Sequence, residues 1–489
     1  MPRIAAGALV FLASAAVLML EILAGRLLAP YVGISLETYT GIIGVVLAGI
    51  SLGAWGGGWL ADRVDPRRTL GPILMLGGAL ALLAVPTVRL LGEAGTEDRT
   101  SMVLVLSVAG FFPSAAVLSA VTPTVIKLQL RSLEETGRVV GRLSAIGTAG
   151  AICGTFVTGF VLISALPTRP TILVMGAALV VLGAAVWLWL GRRAEPAAAA
   201  LLALAIACGV AGARSDPGPC QWESPYACGR VVADPFTTYG RTLWLDTLQH
   251  SYVDLRNPRS LRFEYVRTIR DAIDAAHPGR GPLAALHVGG GGFTLPRYVA
   301  ATRPGSRNLV LEIDSALVRE ARRRLGLVTG PGLRVREGDA RLGIRREADD
   351  AYDVVVGDAF AGLSIPWHLT TREFVGEVRR VLRPDGLYAL NVIDSPPLGF
   401  LRAELATLGD VFRHVAVLAP PYALDPGAES NFVLLASDRP LPLAAMLERA
   451  RDGGDLTAVR TGRSLRALVG DARVLTDDYA PVDQLINID

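Results

Sequence analysis

The first 213 residues form a succession of apolar stretches, most of them 20 or more residues long and joined by short loops. Few folds accept such a pattern. A helix rises about 1.5 Å per residue, so roughly 20 apolar residues cross the ~30 Å of hydrocarbon in a bilayer. Stretches of about that length fall at 4–28, 39–60, 70–91, 101–126, 143–166, 171–190 and 196–213, which predicts an α-helical membrane bundle of about seven spans. The first is followed by others like it, which separates it from the short, solitary apolar core of a cleaved signal peptide. From Arg214 onward the charge density and Pro/Gly punctuation of a globular domain return. This asymmetry explains how a chain of 489 residues can be 51% hydrophobic and only 19% charged. A net charge of +3 leaves no basic excess of the kind that nucleic acid requires.

Loop charges orient the bundle. Arg63, Arg67, Arg68, Lys127, Arg131, Arg138, Arg142, Arg192 and Arg193 fall on one side, against Arg89, Arg99 and Arg169 on the other. The richer side is cytoplasmic by the positive-inside rule, so the N-terminus is inside and, after seven spans, the soluble half is outside. Glu21 and Arg26 lie within the first span, either lining a polar path or packing as an interfacial pair. Gly53, Gly57, Gly147, Gly150 and Gly154 are expected where helices approach closely. Just beyond the last span, Cys220 and Cys228 flank a seven-residue segment. In an outward-facing domain this spacing predicts a disulfide closing a small loop, with two free thiols as the alternative. The absence of a nearby His or second Cys pair argues against a metal.

The soluble half divides into 214–255, a linker with a small antiparallel β-sheet, and 256–489, where strand-length apolar runs alternate with amphipathic helical runs. Strands are expected at 284–288, 309–313, 333–336, 353–356, 387–392, 414–418 and 432–436, a seven-strand Rossmann-like α/β domain of the transferase type. Ligands in such sheets bind at the carboxyl ends of the strands. There the chain carries Gly289, Gly290, Gly291 and Gly292 after the first strand, and Glu312 and Asp314 after the second. Gly338, Asp339 and Ala340 follow the third, and Asp358 the fourth. A glycine loop admits a ligand to the backbone, an acid about 20 residues on can hold ribose hydroxyls, and an acid after the third strand can accept from an adenine amine. The dinucleotide fingerprint fails, because Thr294 or Leu295 stands where its third glycine belongs.

Nine blocks in order, LDTLQ (245–249), FEYVR (263–267), VGGGG, EID, GDA, YDVVVGDAF, HLTTREF (368–374), LRPDG (382–386) and LTDDYAPVD (475–483), resemble spermidine synthases, the polyamine aminopropyltransferases. EILAGRLLAPYVG near the N-terminus extends the resemblance to the membrane-fused bacterial branch. The resemblance implies attack by an amine of putrescine on the propyl carbon of decarboxylated S-adenosylmethionine, with release of methylthioadenosine and without a metal. It implies Asp358 as general base, Gln249 at the donor's tail, Glu312 at the ribose and Asp339 at the adenine. Two family acids are missing, replaced by Gly292 and Ala361. His368, on the loop expected to cover the site, is the candidate to contact substrate or act as a base in their place, with loop packing as the alternative. Two other readings are a methyltransferase-like enzyme using intact S-adenosylmethionine and a transporter or sensor that binds nucleosides or amines without turnover. The expected partners are the lipid bilayer, a small-molecule amine and a second copy in a homodimer. A cytosolic cofactor conflicts with an outward-facing domain, and that conflict favours the third reading if the domain is outside.

Overall fold

The computed structural model describes residues 1–33, 36–95, 99–130, 132–190, 196–214, 218–424 and 428–486. Of the loop charges above, Arg131, Arg192 and Arg193 lie outside these. The chain divides into two compact units, Met1–Cys228 and Gly229–Asp489.

The first unit is helical. Five helices are long and apolar enough to cross a membrane: Arg3–Val32, Leu36–Arg63, Pro66–Ala94, Leu133–Ala165 and Thr168–Leu190. A sixth candidate is broken, Thr100–Gly110 and Phe112–Gln129 meeting at 41°. Gly110 and Pro113 bracket the break; proline has no N–H to give the preceding turn and its ring clashes with the carbonyl four residues back. The stretch expected as a seventh span forms the helix Pro196–Arg214, whose apolar portion Leu202–Arg214 is shorter than the others. Glycines set the closest helix contacts. A Cβ on Gly150 would lie 2.2 Å from the Phe11 carbonyl oxygen, and one on Gly53 1.9 Å from that of Ala116. Arg26 does not pair with Glu21; its Nη2 donates to the Ser224 carbonyl beyond the short strand β1 (Trp222–Glu223). Cys220 and Cys228 are joined as a disulfide with Cα atoms 5.2 Å apart.

In the second unit β2 (Cys228–Ala233), β3 (Gly240–Leu245) and β4 (Leu248–Asp254) pair antiparallel in sequence order. The tight turn between β3 and β4 needs a positive φ, which Asp246 supplies at 51°. The main sheet contains β5 (Ala284–Val288), β6 (Arg307–Glu312), β7 (Leu333–Glu337), β8 (Tyr352–Gly357), β9 (Leu382–Asp394), β10 (His414–Ala419), β11 (Ser430–Ser437) and β12 (Ala458–Thr461). Its order is β12-β10-β11-β9-β8-β5-β6-β7, eight strands rather than the expected seven. From β7 to β9 the strands are parallel; β11 and β12 run against their neighbours.

Alternate residues of the central strands feed two cores. Leu286, Val288 and Val355 pack on one face, Ala285, Val354 and Val356 on the other, all of them buried. Burial on both faces is why these strands read as unbroken apolar runs. Strand order reverses between β5 and β8, which opens a crevice at their carboxyl ends.

Candidate functional site

The end of β5 is fixed by its neighbours. Gly289 N–H donates to the Leu311 carbonyl at 2.9 Å, and Asp358 N–H donates to the Val288 carbonyl at 2.8 Å. Gly289 has φ 95°, and a Cβ there would sit 2.3 Å from the Asp358 carbonyl oxygen, so both conformation and space demand glycine. Gly290 N–H donates to Glu312 Oε2 at 2.7 Å, while Asp314 N–H donates to Oε1 at 2.8 Å. Glu312 thus ties the glycine loop to the end of β6. Burial raises its carboxyl above the usual range even though backbone N–H groups favour the charged form. Gly292 N–H reaches across to Ser251 Oγ on β4 at 2.9 Å.

Asp314, the other acid at the end of β6, is occupied differently. Its Oδ1 accepts from Ala316 and Leu317 N–H and caps the helix Ser315–Arg324. Asp339 is also a cap: Oδ1 accepts from Leu342 N–H at 2.9 Å at the start of Ala340–Ile344, where Ala340 is buried. Its second oxygen, Oδ2, lies 2.9 Å from His368 Nε2. His368 therefore stands against the acid at the end of β7 and is not among the residues lining the cavity described next. Arg341 holds the same loop by donating to the His368 carbonyl at 3.0 Å, and it pairs with Asp477 of the C-terminal tail.

A cavity of about 620 Å³ opens beside the crevice, lined by Gln249, His250, Tyr265, Gly291, Asp358 and Asn391 among others. Asp358 is at its centre chemically. Tyr265 Oη donates to Oδ2 at 3.2 Å and Asn391 Nδ2 to Oδ1 at 2.9 Å. Asn391 Oδ1 in turn accepts from Asn431 Nδ2 at 3.0 Å, so an amide relay crosses from β11 through β9 to the carboxylate. Burial pushes Asp358 up to about 6, with the two hydrogen bonds opposing. Burial of the Tyr265 hydroxyl, with the Asp358 carboxylate beside it, holds it well above its ordinary value. Glu264 and Glu429 also line the cavity, against the one guanidinium of Arg262. Arg262 is already paired with Asp234, so the lining is acidic.

Of the residues expected from sequence, Gln249, Gly291 and Asp358 line this cavity. Gly289 and Gly290 line a smaller recess that also reaches Asp358. Tyr265, Asn391 and Asn431 were missed. The two asparagines carried a readable signal, each a lone amide at the carboxyl-side half of an apolar strand or at its start.

No family model matches the chain. A polyamine aminopropyltransferase from Vibrio vulnificus (strain CMCP6) is 30% identical over 247 residues, covering 48% of this chain and 79% of that protein. One from Pyrobaculum calidifontis is 29% identical over 263 residues, 50% of this chain and 86% of that protein. The crystal structure of a probable spermidine synthase from Corynebacterium glutamicum ATCC 13032 is similar at a TM-score of 0.50 and 31% identity, covering 53% of this chain and 97% of that one. Identity at this level over most of a relative's length establishes kinship: the chain belongs to the polyamine aminopropyltransferase family, that of the spermidine synthases.

Proposed function

We propose that the chain is a membrane-anchored aminopropyltransferase that takes decarboxylated S-adenosylmethionine as donor and putrescine or a related amine as acceptor. The observation that carries this reading is Asp358, an acid raised to about 6 and oriented by Tyr265 and Asn391 in an acidic cavity beside a glycine loop. An amine arrives protonated and must lose a proton before it attacks. A carboxylate titrating near 6 is ionised at neutral pH and accepts that proton, and the lone pair then displaces the thioether. Most of the remaining acceleration comes from holding amine and sulfonium in contact. In this reading Gly289, Gly290 and Gly291 admit the nucleoside to the backbone, Glu312 holds the ribose, Asp339 and Ala340 meet the adenine, and Gln249 meets the donor's tail. Purified protein incubated with putrescine should release methylthioadenosine from the decarboxylated donor. Release of S-adenosylhomocysteine from intact S-adenosylmethionine would replace the reading with methyl transfer, and binding without either product would replace it with sensing.

Glu312→Ala tests the donor side. It removes a ribose contact and strips Gly290 N–H of its acceptor, so methylthioadenosine binding should weaken by about 1.5 to 3 kcal/mol, the worth of a hydrogen bond to a charged group. Unchanged calorimetric affinity would mean that the nucleoside lies elsewhere.

We further propose seven spans with the N-terminus cytoplasmic and the α/β domain outside. The loop charges support this, as does the Cys220–Cys228 disulfide, a bond that persists in oxidising compartments. A reporter fused after Asp489 should behave as extracytoplasmic, and the donor would then have to be delivered across the membrane. A cytoplasmic signal overturns the topology and removes that requirement.

A further inference from the structure

Basic side chains at one end of the helical unit fall into two groups. Lys127 pairs with Asp62 at 2.6 Å, and Arg63 lies over the Trp59 ring at 4.0 Å while donating to the Trp59 carbonyl. Arg3, Arg138 and Arg142 have no hydrogen-bond or ionic partner among the described residues, yet all three line one cavity of about 190 Å³. Gln129 lines it too and places it at the same end as Lys127, because its Nε2 donates to the Met1 carbonyl at 3.0 Å.

Helix register brings the three guanidiniums together. The helices Arg3–Val32 and Thr136–Val157 ascend side by side: a Cβ on Gly150 would meet the Phe11 carbonyl oxygen at 2.2 Å, and one on Gly154 that of Ala15 at 2.5 Å. The offset that sets Phe11 against Gly150 and Ala15 against Gly154 also sets Arg3 against Arg142. Arg138 lies one helical turn before Arg142 on the same face, a spacing at which like charges repel. The first turn of Arg3–Val32 adds the positive end of its dipole, with no acidic residue and no side-chain cap to offset it. Among the described residues Glu135 is the one carboxylate lining the cavity, so three guanidiniums face one negative charge.

We propose that this cavity binds the phosphate headgroup of an anionic phospholipid; the proposal rests on the reading that the helical unit spans a bilayer. Arg3 and Arg142 immediately precede the apolar stretches that begin at Ile4 and Leu143, so the cavity lies where hydrocarbon gives way to headgroups. Its lining is amphiphilic. Ala6 and Leu143 are buried and Val139 is half-buried, while Arg3, Arg138 and Arg142 are exposed and open to a ligand. Phosphate oxygens accept in pairs from the planar fork of a guanidinium, and the glycerol and first methylenes of the same molecule cover the apolar part. Free phosphate would use the guanidiniums alone. A zwitterionic headgroup brings its own cation, which the positive surplus of the cavity repels.

The experiment titrates full-length, detergent-solubilised and delipidated protein with cardiolipin, with phosphatidylcholine and with inorganic phosphate, counting bound lipid by native mass spectrometry. Cardiolipin should bind at least about tenfold more tightly than phosphatidylcholine, and inorganic phosphate at equal concentration should not displace it. Arg138→Gln combined with Arg142→Gln should weaken cardiolipin binding about 10- to 100-fold through lost charge-assisted hydrogen bonds, and Arg3→Gln alone about 3- to 10-fold. Arg63→Gln combined with Arg67→Gln, at the same end but outside the cavity, should stay within about twofold of wild type. A monodisperse gel-filtration peak checks that each variant is folded; if the Arg138/Arg142 variant aggregates, Arg3→Gln decides the matter. Equal wild-type affinity for the two lipids, unchanged cardiolipin binding in the cavity variants, an equal loss in the Arg63/Arg67 control, or displacement by inorganic phosphate would each overturn the proposal. Recovery of the chain from the soluble fraction without detergent would overturn the membrane reading and the proposal with it, whereas equal lipid affinities in a chain that only detergent extracts would overturn the proposal alone.

Discussion

Asp358→Asn should lower turnover by about 10²- to 10⁴-fold, the usual contribution of a positioned general base. The substitution keeps the shape of the side chain and its place between Tyr265 and Asn391, so methylthioadenosine binding should stay near wild type. The wild-type pH profile carries the same information. Because burial holds Asp358 near 6, its carboxyl is neutral below that pH and cannot accept a proton. Turnover should rise about tenfold per pH unit up to roughly pH 6 and then level off, and the Asn variant should lack that limb. Wild-type turnover in Asp358→Asn would remove this residue from the chemistry. A missing acid limb in the wild type would mean that the carboxylate titrates as an ordinary surface acid.

Glu404→Leu should raise the stability of the α/β domain by about 1 to 3 kcal/mol at neutral and alkaline pH, the cost of burying a polar group without a partner. Glu404 lies on the helix Gly399–Val411, fully buried, and neither carboxyl oxygen has a hydrogen-bond partner among the described residues. Burial alone raises its pKa well above the usual 4.5. The folded chain therefore holds a proton that the unfolded chain releases near 4.5. The stabilisation associated with that proton is fully present below about pH 4.5 and is lost as pH rises through the folded-state value. Thermal unfolding of the solubilised chain across pH should show this decline in the wild type and its absence in Glu404→Leu. A variant less stable than wild type at pH 8 would show that the carboxyl has a partner in solution.

Much of the architecture could be read from hydropathy, because spans and doubly buried strands are both long unbroken apolar runs. What escaped was whatever hydropathy averages away. The break at Phe111 is a backbone event set by Gly110 and Pro113 within a stretch that stays apolar throughout. The eighth strand, Ala458–Thr461, is four residues long at the edge of the sheet and half exposed, so it carries neither an apolar run nor a clear alternation. At the site, Asp358 and the glycine loop were legible because strand ends announce themselves. An acid between a strand and a helix, however, is equally suited to a ligand and to the helix's own N–H groups. Asp314 caps the helix Ser315–Arg324, and Asp339 divides itself between cap and His368. Tyr265, Asn391 and Asn431 come from three separated segments; the register of β9 against β11 brings the two asparagine amides together, and Tyr265 reaches Asp358 from a helix.

The placement of the cavity has an evolutionary consequence. Its walls come from β4, the start of the helix Glu264–Ala276, Gly291 after β5, the segment from Asp358 to Leu363 after β8, the ends of β9 and β10 and the start of β11, and none of them from β6 or β7. The nucleoside candidates Glu312 and Asp339 stand at the ends of β6 and β7. In the proposed reading the nucleoside is held at the ends of β6 and β7, and the donor's tail meets the acceptor where Gln249, Asp358 and the glycine loop come together. Mutations confined to β9, β10 and β11 leave Glu312 and Asp339 in place, so in the proposed reading a lineage built on this scaffold can exchange one acceptor for another while keeping its donor.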